Sequence, residues 1–260
     1  MQLEGKCVLV TGAGSGIGRA LAVEASKRGM TVALCGRRPD ALAATAALLD
    51  PGRANIVMPA DVTRADDRRA IVARLRESWG RLDVLVNNAG VVAGGALEKE
   101  EDAALEQLVT TNVTAPIAFT RELLPLLVAA RPSRVVNIGS VFGDIPFPLF
   151  AAYSATKFAL RGFSDALRRE FRDRGVGVTY AAPRATKTEA ADALETLIAA
   201  MQPRLDDPAA VAAQIWDAVE RDAASVYPAG PERIFVLLQR LFPRLVDSAV
   251  CKQMAKLIAS

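Results

Sequence analysis

Thr11-Gly12-Ala13-Gly14-Ser15-Gly16-Ile17-Gly18 stands between a short apolar run at 6–10 and an amphipathic stretch at 17–28. Glycine lets a backbone turn sharply and approach a ligand that a β-carbon would hold off. The first turn of the following helix has unpaired amides and a partial positive charge, and both attract an anion. A glycine-rich string alone is often only a turn. Set between a strand and a helix, it reads as the cradle of a dinucleotide pyrophosphate. Gly12, Gly14, Ser15, Ile17 and Gly18 are the candidate contacts.

The same alternation continues down the chain. Near-continuous apolar runs at 31–35, 55–58, 82–86, 134–138 and 176–181 suit parallel strands covered on both faces. Helical patterns fall near 39–49, 64–79, 103–129, 153–174 and 207–222. Pro39 and the Asp66-Asp67 pair sit where helix starts favour them. This order implies an α/β fold, a doubly wound Rossmann-type parallel sheet flanked by helices. No repeat, low-complexity tract or linker precedes about residue 228. Residues 1–230 are therefore expected to form one dinucleotide-binding and catalytic domain, with 231–260 as a basic amphipathic helical tail.

The composition narrows the chemistry. The chain has no histidine among its 260 residues. That excludes Ser-His-Asp and Cys-His nucleophile systems and histidine-ligated metal sites. Proton transfer must then use Tyr, Lys, Asp, Glu, Cys or water. Cys7, Cys35 and Cys251 are scattered and odd in number, which fits buried thiols in a reducing compartment rather than disulfides or a metal site. A net charge of +3 gives no footprint for nucleic acid. No uninterrupted apolar run is of bilayer length, and MQLEGKCVLV enters a strand at once, without a signal peptide. A cytoplasmic location is expected.

The end of the second run chooses between cofactors. A carboxylate there would accept the adenosine ribose hydroxyls and repel a 2′-phosphate. The sequence instead reads Cys35-Gly36-Arg37-Arg38. Guanidinium groups form forked, charge-assisted bonds with phosphate. NADP(H) is expected over NAD(H), the alternative being that both arginines belong to a solvated loop.

Further elements follow in order: Asn87-Asn88-Ala89-Gly90, Asn112, Ser140 and Tyr153-Ser154-Ala155-Thr156-Lys157. Tyr153 and Lys157, four apart on a helical pattern, share a face. A nearby ammonium favours the phenolate and should bring the phenol nearer to a working pKa. Taken with the glycine loop, the set resembles the short-chain dehydrogenase/reductase family in its compact single-domain form, from about Gly5 to Tyr227. The resemblance implies that Ser140 holds a substrate oxygen, Tyr153 exchanges its proton, and Lys157 also binds the nicotinamide ribose. It implies that Asn112 helps to hold a water relay to Lys157. Asp61 and Val62 would flank the adenine, and Asn88, Ala89 and Gly90 would line the adenosine ribose. It also implies at least a homodimer, with the helices at 103–129 and 153–174 paired across a two-fold axis.

One departure stands out. The family commonly has Pro-Gly where this chain has Pro183-Arg184-Ala185-Thr186-Lys187-Thr188. Pro183, Thr186 and Thr188 keep positions that meet the nicotinamide carboxamide and the phosphates in relatives, while the path of the loop is open. Phe142, Phe147 and Phe150 lie between Ser140 and Tyr153, and either wall an apolar substrate pocket or pack on a helix or a second subunit. In the tail, Ile234, Leu237, Leu238, Leu241, Leu245, Val246, Ala249, Val250, Met254 and Leu257 mark an apolar face broken at Pro243. Arg233, Arg240, Arg244, Lys252 and Lys256 oppose it, against Glu232 and Asp247. Such helices either cover the domain or a partner subunit, or make peripheral contact with an anionic membrane. Two functions remain: an oxidoreductase moving a hydride between NADP(H) and an apolar carbonyl or secondary alcohol, or a dinucleotide-binding sensor or scaffold without turnover.

Overall fold

The computed structural model describes residues 1–188, 205–227 and 232–258. The expected break at 228–231, and the side chains of Glu232, Met254, Lys256 and Leu257, lie outside the described part. The strands are β1 (Cys7–Thr11), β2 (Thr31–Gly36), β3 (Ile56–Pro59), β4 (Val84–Asn87), β5 (Ser133–Ile138), β6 (Val176–Ala181) and β7 (Ser225–Val226). They form one sheet in the order β3-β2-β1-β4-β5-β6-β7. Every pairing is parallel. The order reverses between β1 and β4, so a crevice opens beyond their carboxyl ends, where such sheets bind ligands.

The helices are α1 (Gly16–Lys27), α2 (Pro39–Ala46), α3 (Ala65–Trp79), α4 (Asp102–Val109), α5 (Ala115–Ala130), α6 (Ala151–Glu170), α7 (Pro208–Glu220), α8 (Glu232–Leu241) and α9 (Pro243–Ile258). Pro39 opens α2 and the Asp66-Asp67 pair lies in the first turn of α3, where acids favour the positive helix end. The single helix expected at 103–129 is two helices joined by a π-turn at Thr110–Thr114. Pro116 has no amide to offer the carbonyl four residues back, Asn112, which disfavours a regular α-turn there. The continuous stretch Asp102–Ala130 is long and apolar enough to cross a membrane by length and composition, contrary to the expectation from apolar runs alone. In this fold it is a core helix, with Leu108, Phe119, Leu123, Leu126 and Leu127 buried.

Strand residues alternate between two cores, one on each face of the sheet. Val8, Val10, Val32, Leu34, Val84 and Val86 pack under α1 and α7, while Leu9, Ala33 and Leu85 pack under α3, α5 and α6. A buried polar chain sets α6 against the sheet. Asn87 Nδ2 donates to Asn137 Oδ1 at 2.8 Å and to Thr120 Oγ1 at 3.0 Å. Asn137 Nδ2 in turn donates to Ser164 Oγ on α6 at 2.8 Å. Each bond is fully desolvated, so a missing partner would cost more than the bond contributes.

On the other face Trp216 is the largest fully buried side chain, and its indole N–H donates to the Leu21 carbonyl at 3.0 Å. It joins α7 to α1, the helix that follows the glycine loop. Trp216→Ala is expected to lose about 3–5 kcal/mol of stability. Trp216→Phe should lose less, both read from denaturant midpoints.

Candidate active site

The loop after β1 and the loop after β4 lock together at the crevice. Thr11 Oγ1 accepts the backbone amides of Asn88 and Ala89 at 2.9 and 3.0 Å and donates to the Val86 carbonyl at 3.1 Å. Asn88 Nδ2 donates to the Thr11 carbonyl at 2.8 Å and the Gly12 carbonyl at 3.3 Å. Gly12 has φ +64°, and a β-carbon on it would meet Asn88 Nδ2 at 2.8 Å. A β-carbon on Gly18 would fall 2.2 Å from the Gly12 carbonyl oxygen. These glycines let the two loops close on each other, and both border the cavity at the amino end of α1. The cradle suits a pyrophosphate.

The opposite wall carries charge. Arg37 and Arg38, exposed at the end of β2, border the cavity with Asp61 and Val62. Burial opposes ionisation of Asp61, but bonds from the Thr63 hydroxyl and amide and the charges of Arg37 and Arg64 hold its carboxyl below the usual range. No acid stands at the tip of β2 itself. Cys35 is buried there, and burial pushes its thiol up to about 12, which leaves it inert.

Tyr153 and Lys157 lie one turn apart on α6, Lys157 buried and Tyr153 partly so. Burial pushes the Tyr153 phenol up to about 12, countered by a hydrogen bond with the Ser140 side chain. Burial also pulls Lys157 down to about 8. Its ammonium lies 5.5 Å from the Tyr153 ring centroid and donates to the Ile138 carbonyl at 3.1 Å. The expected lowering of the phenol by Lys157 is therefore not seen. Desolvation dominates, and the ammonium donates to the carbonyl at the end of β5.

Asn112 lies in the π-turn, and its side chain bonds the backbone of Val91 twice: Oδ1 accepts the amide and Nδ2 donates to the carbonyl, each at 2.9 Å. Nδ2 also donates to Thr156 Oγ1 at 3.2 Å. Gly90 separates Asn112 from Lys157, since a β-carbon there would stand 3.2 Å from Asn112 Oδ1 and 3.8 Å from Lys157 Nζ. Ser140 caps a short 3-10 turn, with its Oγ accepting the Phe142 amide at 3.1 Å. Tyr180 holds the segment from beneath: its hydroxyl donates to the Ser140 carbonyl at 3.1 Å, and its ring leaves no room for a side chain at Gly139.

One continuous cavity of about 1010 Å³ runs past these groups. Gly12, Gly14, Ser15, Ile17, Gly18, Arg37, Arg38, Asp61, Val62, Asn88, Ala89, Gly90, Ser140, Tyr153, Lys157, Pro183, Thr186 and Thr188 all border it. Asn112 does not line it, but Val91, which its side chain bonds, does. Phe142 stacks on Phe147 with centroids 4.9 Å apart and meets Phe150 at 5.1 Å and the Tyr153 ring edge at 6.2 Å. The aromatics thus pack on each other and on Tyr153 while walling the cavity. Arg184 takes the place of the usual glycine without left-handed backbone: the non-glycine residues with positive φ among those described are Leu149 and Asp222. Its guanidinium bonds Asp206 at 2.6 Å, and the Asp206 backbone pairs with Ala185 and Lys187 at 2.9 and 3.0 Å. That fixes the loop path, with Thr188 against Gly16.

Sequence reasoning missed Asp144. Its carboxylate is buried and bonded by Arg161 of α6, by Arg240 of α8 at 3.1 Å and by the Tyr227 hydroxyl at 3.1 Å. An acid in the apolar stretch 141–150 was the available signal. Arg240, assigned from sequence to the solvated side of the tail, faces the domain instead because Asp144 is its partner. The apolar face expected on α8 and α9 is also largely outward. Val236 and Val246 are buried with Ile145, and Leu238 and Val250 partly so, while Ile234, Leu237, Leu241 and Leu245 are exposed.

Fold and cavity together are those of a Rossmann-type α/β protein. The short chain dehydrogenase family model matches residues 6–197. A 3beta-hydroxysteroid dehydrogenase from Mediterraneibacter gnavus is 38% identical over 187 residues, 70% of this chain and 67% of that protein. A short chain dehydrogenase/reductase from Burkholderia phymatum, solved in complex with NAD, superposes with TM-score 0.86 at 26% identity, over 94% of this chain and 96% of that one. A short-chain dehydrogenase from Sphingobium yanoikuyae, in complex with NADPH, gives TM-score 0.80 at 30% identity, over 93% and 96%. The chain belongs to the short-chain dehydrogenase/reductase family of oxidoreductases.

Proposed function

We propose that this enzyme transfers a hydride between NADP(H) and the carbonyl or secondary alcohol of an apolar small molecule, with Tyr153 as general acid and base. The observation that carries the reading is that Ser140, Tyr153 and Lys157 border the same cavity as Arg37 and Arg38. When bound, the dinucleotide supplies or accepts the hydride at its nicotinamide ring. Gly12, Gly14, Ser15, Ile17 and Gly18 hold its pyrophosphate, and Arg37 and Arg38 its 2′-phosphate. Pro183, Thr186 and Thr188 edge the nicotinamide side. Ser140 orients the substrate oxygen. In reduction Tyr153 would give that oxygen its proton as the carbonyl carbon gains the hydride, and Lys157 would bond the nicotinamide ribose. The aromatic wall and the tail residues Phe235, Val246 and Val250 suit an apolar substrate body. The relatives leave the cofactor open, one being solved with NAD and another with NADPH.

The same reading extends to assembly and location. Val109, Ile117 and Phe158 expose apolar surface on α4, α5 and α6, a face suited to an isologous dimer. The cysteines, none paired with another, fit a reducing cytoplasm. Light scattering at micromolar concentration should give at least a dimer that Phe158→Glu weakens. A monomeric wild type would refute this face.

A panel of ketones and alcohols, followed at the nicotinamide absorbance with NADPH and NADH, tests the reaction. Binding without turnover across the panel would favour a sensor instead. Arg37→Asp should weaken NADPH by about 10–100-fold and NADH little, as for loss of one or two charge-assisted phosphate bonds. Equal losses would overturn the phosphate assignment.

Tyr153→Phe should lose about a thousandfold or more in kcat while still binding NADPH. Lys157 has its pKa lowered by burial to about 8, so its ammonium is present below that pH and disappears as pH rises through it. Tyr153, pushed to about 12, remains protonated throughout that range. The kcat/KM for reduction should therefore decline above about pH 8, and a flat profile to pH 10 would count against a role for that ammonium.

A further inference from the structure

Among the described residues, helices α8 and α9 meet the rest of the chain where Val236 and Val246 join Ile145 and where Arg240 reaches Asp144. The other side is apolar and open: Ile234 is 63% exposed, Leu237 54%, Leu241 60%, Phe242 56% and Leu245 65%. Ile234, Leu237 and Leu241, three and four apart, form one stripe on α8. Phe242 and Leu245 carry it across the bend at Pro243 into α9. Side chains of this size are costly to leave in water as a contiguous patch. Exposed Arg233, Arg244 and Lys252 lie on the same two helices, with Asp247 the one acid among their described side chains. Both helices lie beyond the stretch matched by the family model.

We infer that this face docks on an anionic phospholipid bilayer, from which apolar substrate enters the cavity. The charge chooses the occupant. A second copy joined isologously through this patch would bring its cations towards their own copies, with Asp247 alone among the described acidic side chains to set against them. An anionic bilayer accepts the leucine and phenylalanine side chains at its acyl boundary and the arginines at its headgroups. Phe235, Ala249 and Val250, on the same helices, line the cavity, so one helix pair serves both bilayer and pocket. Substrate entry rests on the proposed reaction; docking does not.

The test is co-sedimentation of the full chain with phosphatidylcholine vesicles, with and without phosphatidylglycerol. Binding should require phosphatidylglycerol and fall with salt. Arg244→Glu should weaken it about tenfold or more. Leu237→Asp combined with Leu245→Asp should leave the protein in the supernatant, with NADPH fluorescence titration showing an intact fold. Protein that stays in the supernatant, or binds neutral vesicles equally well, overturns the inference. So does a paired variant that splits an oligomer in light scattering while the wild type ignores vesicles, since a second copy then covers the face. For entry, the paired variant should slow turnover of a vesicle-dissolved ketone and spare a water-soluble one, and equal rates on both overturn that part. Vesicle binding without turnover of any ketone would sink the proposed reaction and leave docking standing.

Discussion

The rest of the site depends on the close contact between the loops after β1 and β4. Gly18 lies against the Gly12 carbonyl with no space for another carbon, and Asn88 reaches across to the same carbonyl. Thr11 completes the lock by accepting two amides from the β4 side. Parallel pairing of β1 with β4 and of β4 with β5 then fixes where the end of β5 falls. Ile138, at that end, receives the Lys157 ammonium, and Ser140 follows two residues later. A shift in one loop would move both the cradle and the proton-transfer groups, so phosphate geometry and chemistry are one constraint.

Burial acts on Tyr153 and Lys157 in opposite numerical directions but to one chemical end, since it favours the neutral form of each. The phenol keeps its proton and the amine gives one up more readily. A phenol that stays protonated is suited to donating to a carbonyl oxygen. The amine's charge is met by the Ile138 carbonyl at 3.1 Å. Among the described residues no acid pairs with it, so the lysine charge is sensitive to whatever else enters the cavity.

The sheet was legible because its strands are apolar on both faces and its loops are marked by glycine, patterns local in sequence. The grouping of Gly12, Asn88, Ser140, Tyr153 and Lys157 was legible through the resemblance to the family, and all five border one cavity. The π-turn was less so, because Pro116 marks an irregularity without saying that Asn112 would turn to Val91. Tyr180 read only as a strand residue, although its hydroxyl supports Ser140. Asp144 and Arg240 are 96 residues apart, beyond the reach of any periodicity. Helical spacing identified an apolar face on the tail but not which way it points.

That orientation follows from one buried charge. Asp144 is drawn in by Arg161 of the helix that carries Tyr153 and Lys157, and it needs further donors to offset its desolvation. Tyr227 and Arg240 supply them, so α8 is turned with Arg240 inward. Val236, four residues earlier, comes inward with it and meets Ile145, next to Asp144 in the chain. Ile234, Leu237 and Leu241 are thereby turned outward. The apolar surface of the tail is thus the consequence of a polar contact on its other side. The carboxylate that joins the catalytic helix to the tail also determines what the tail shows to its surroundings.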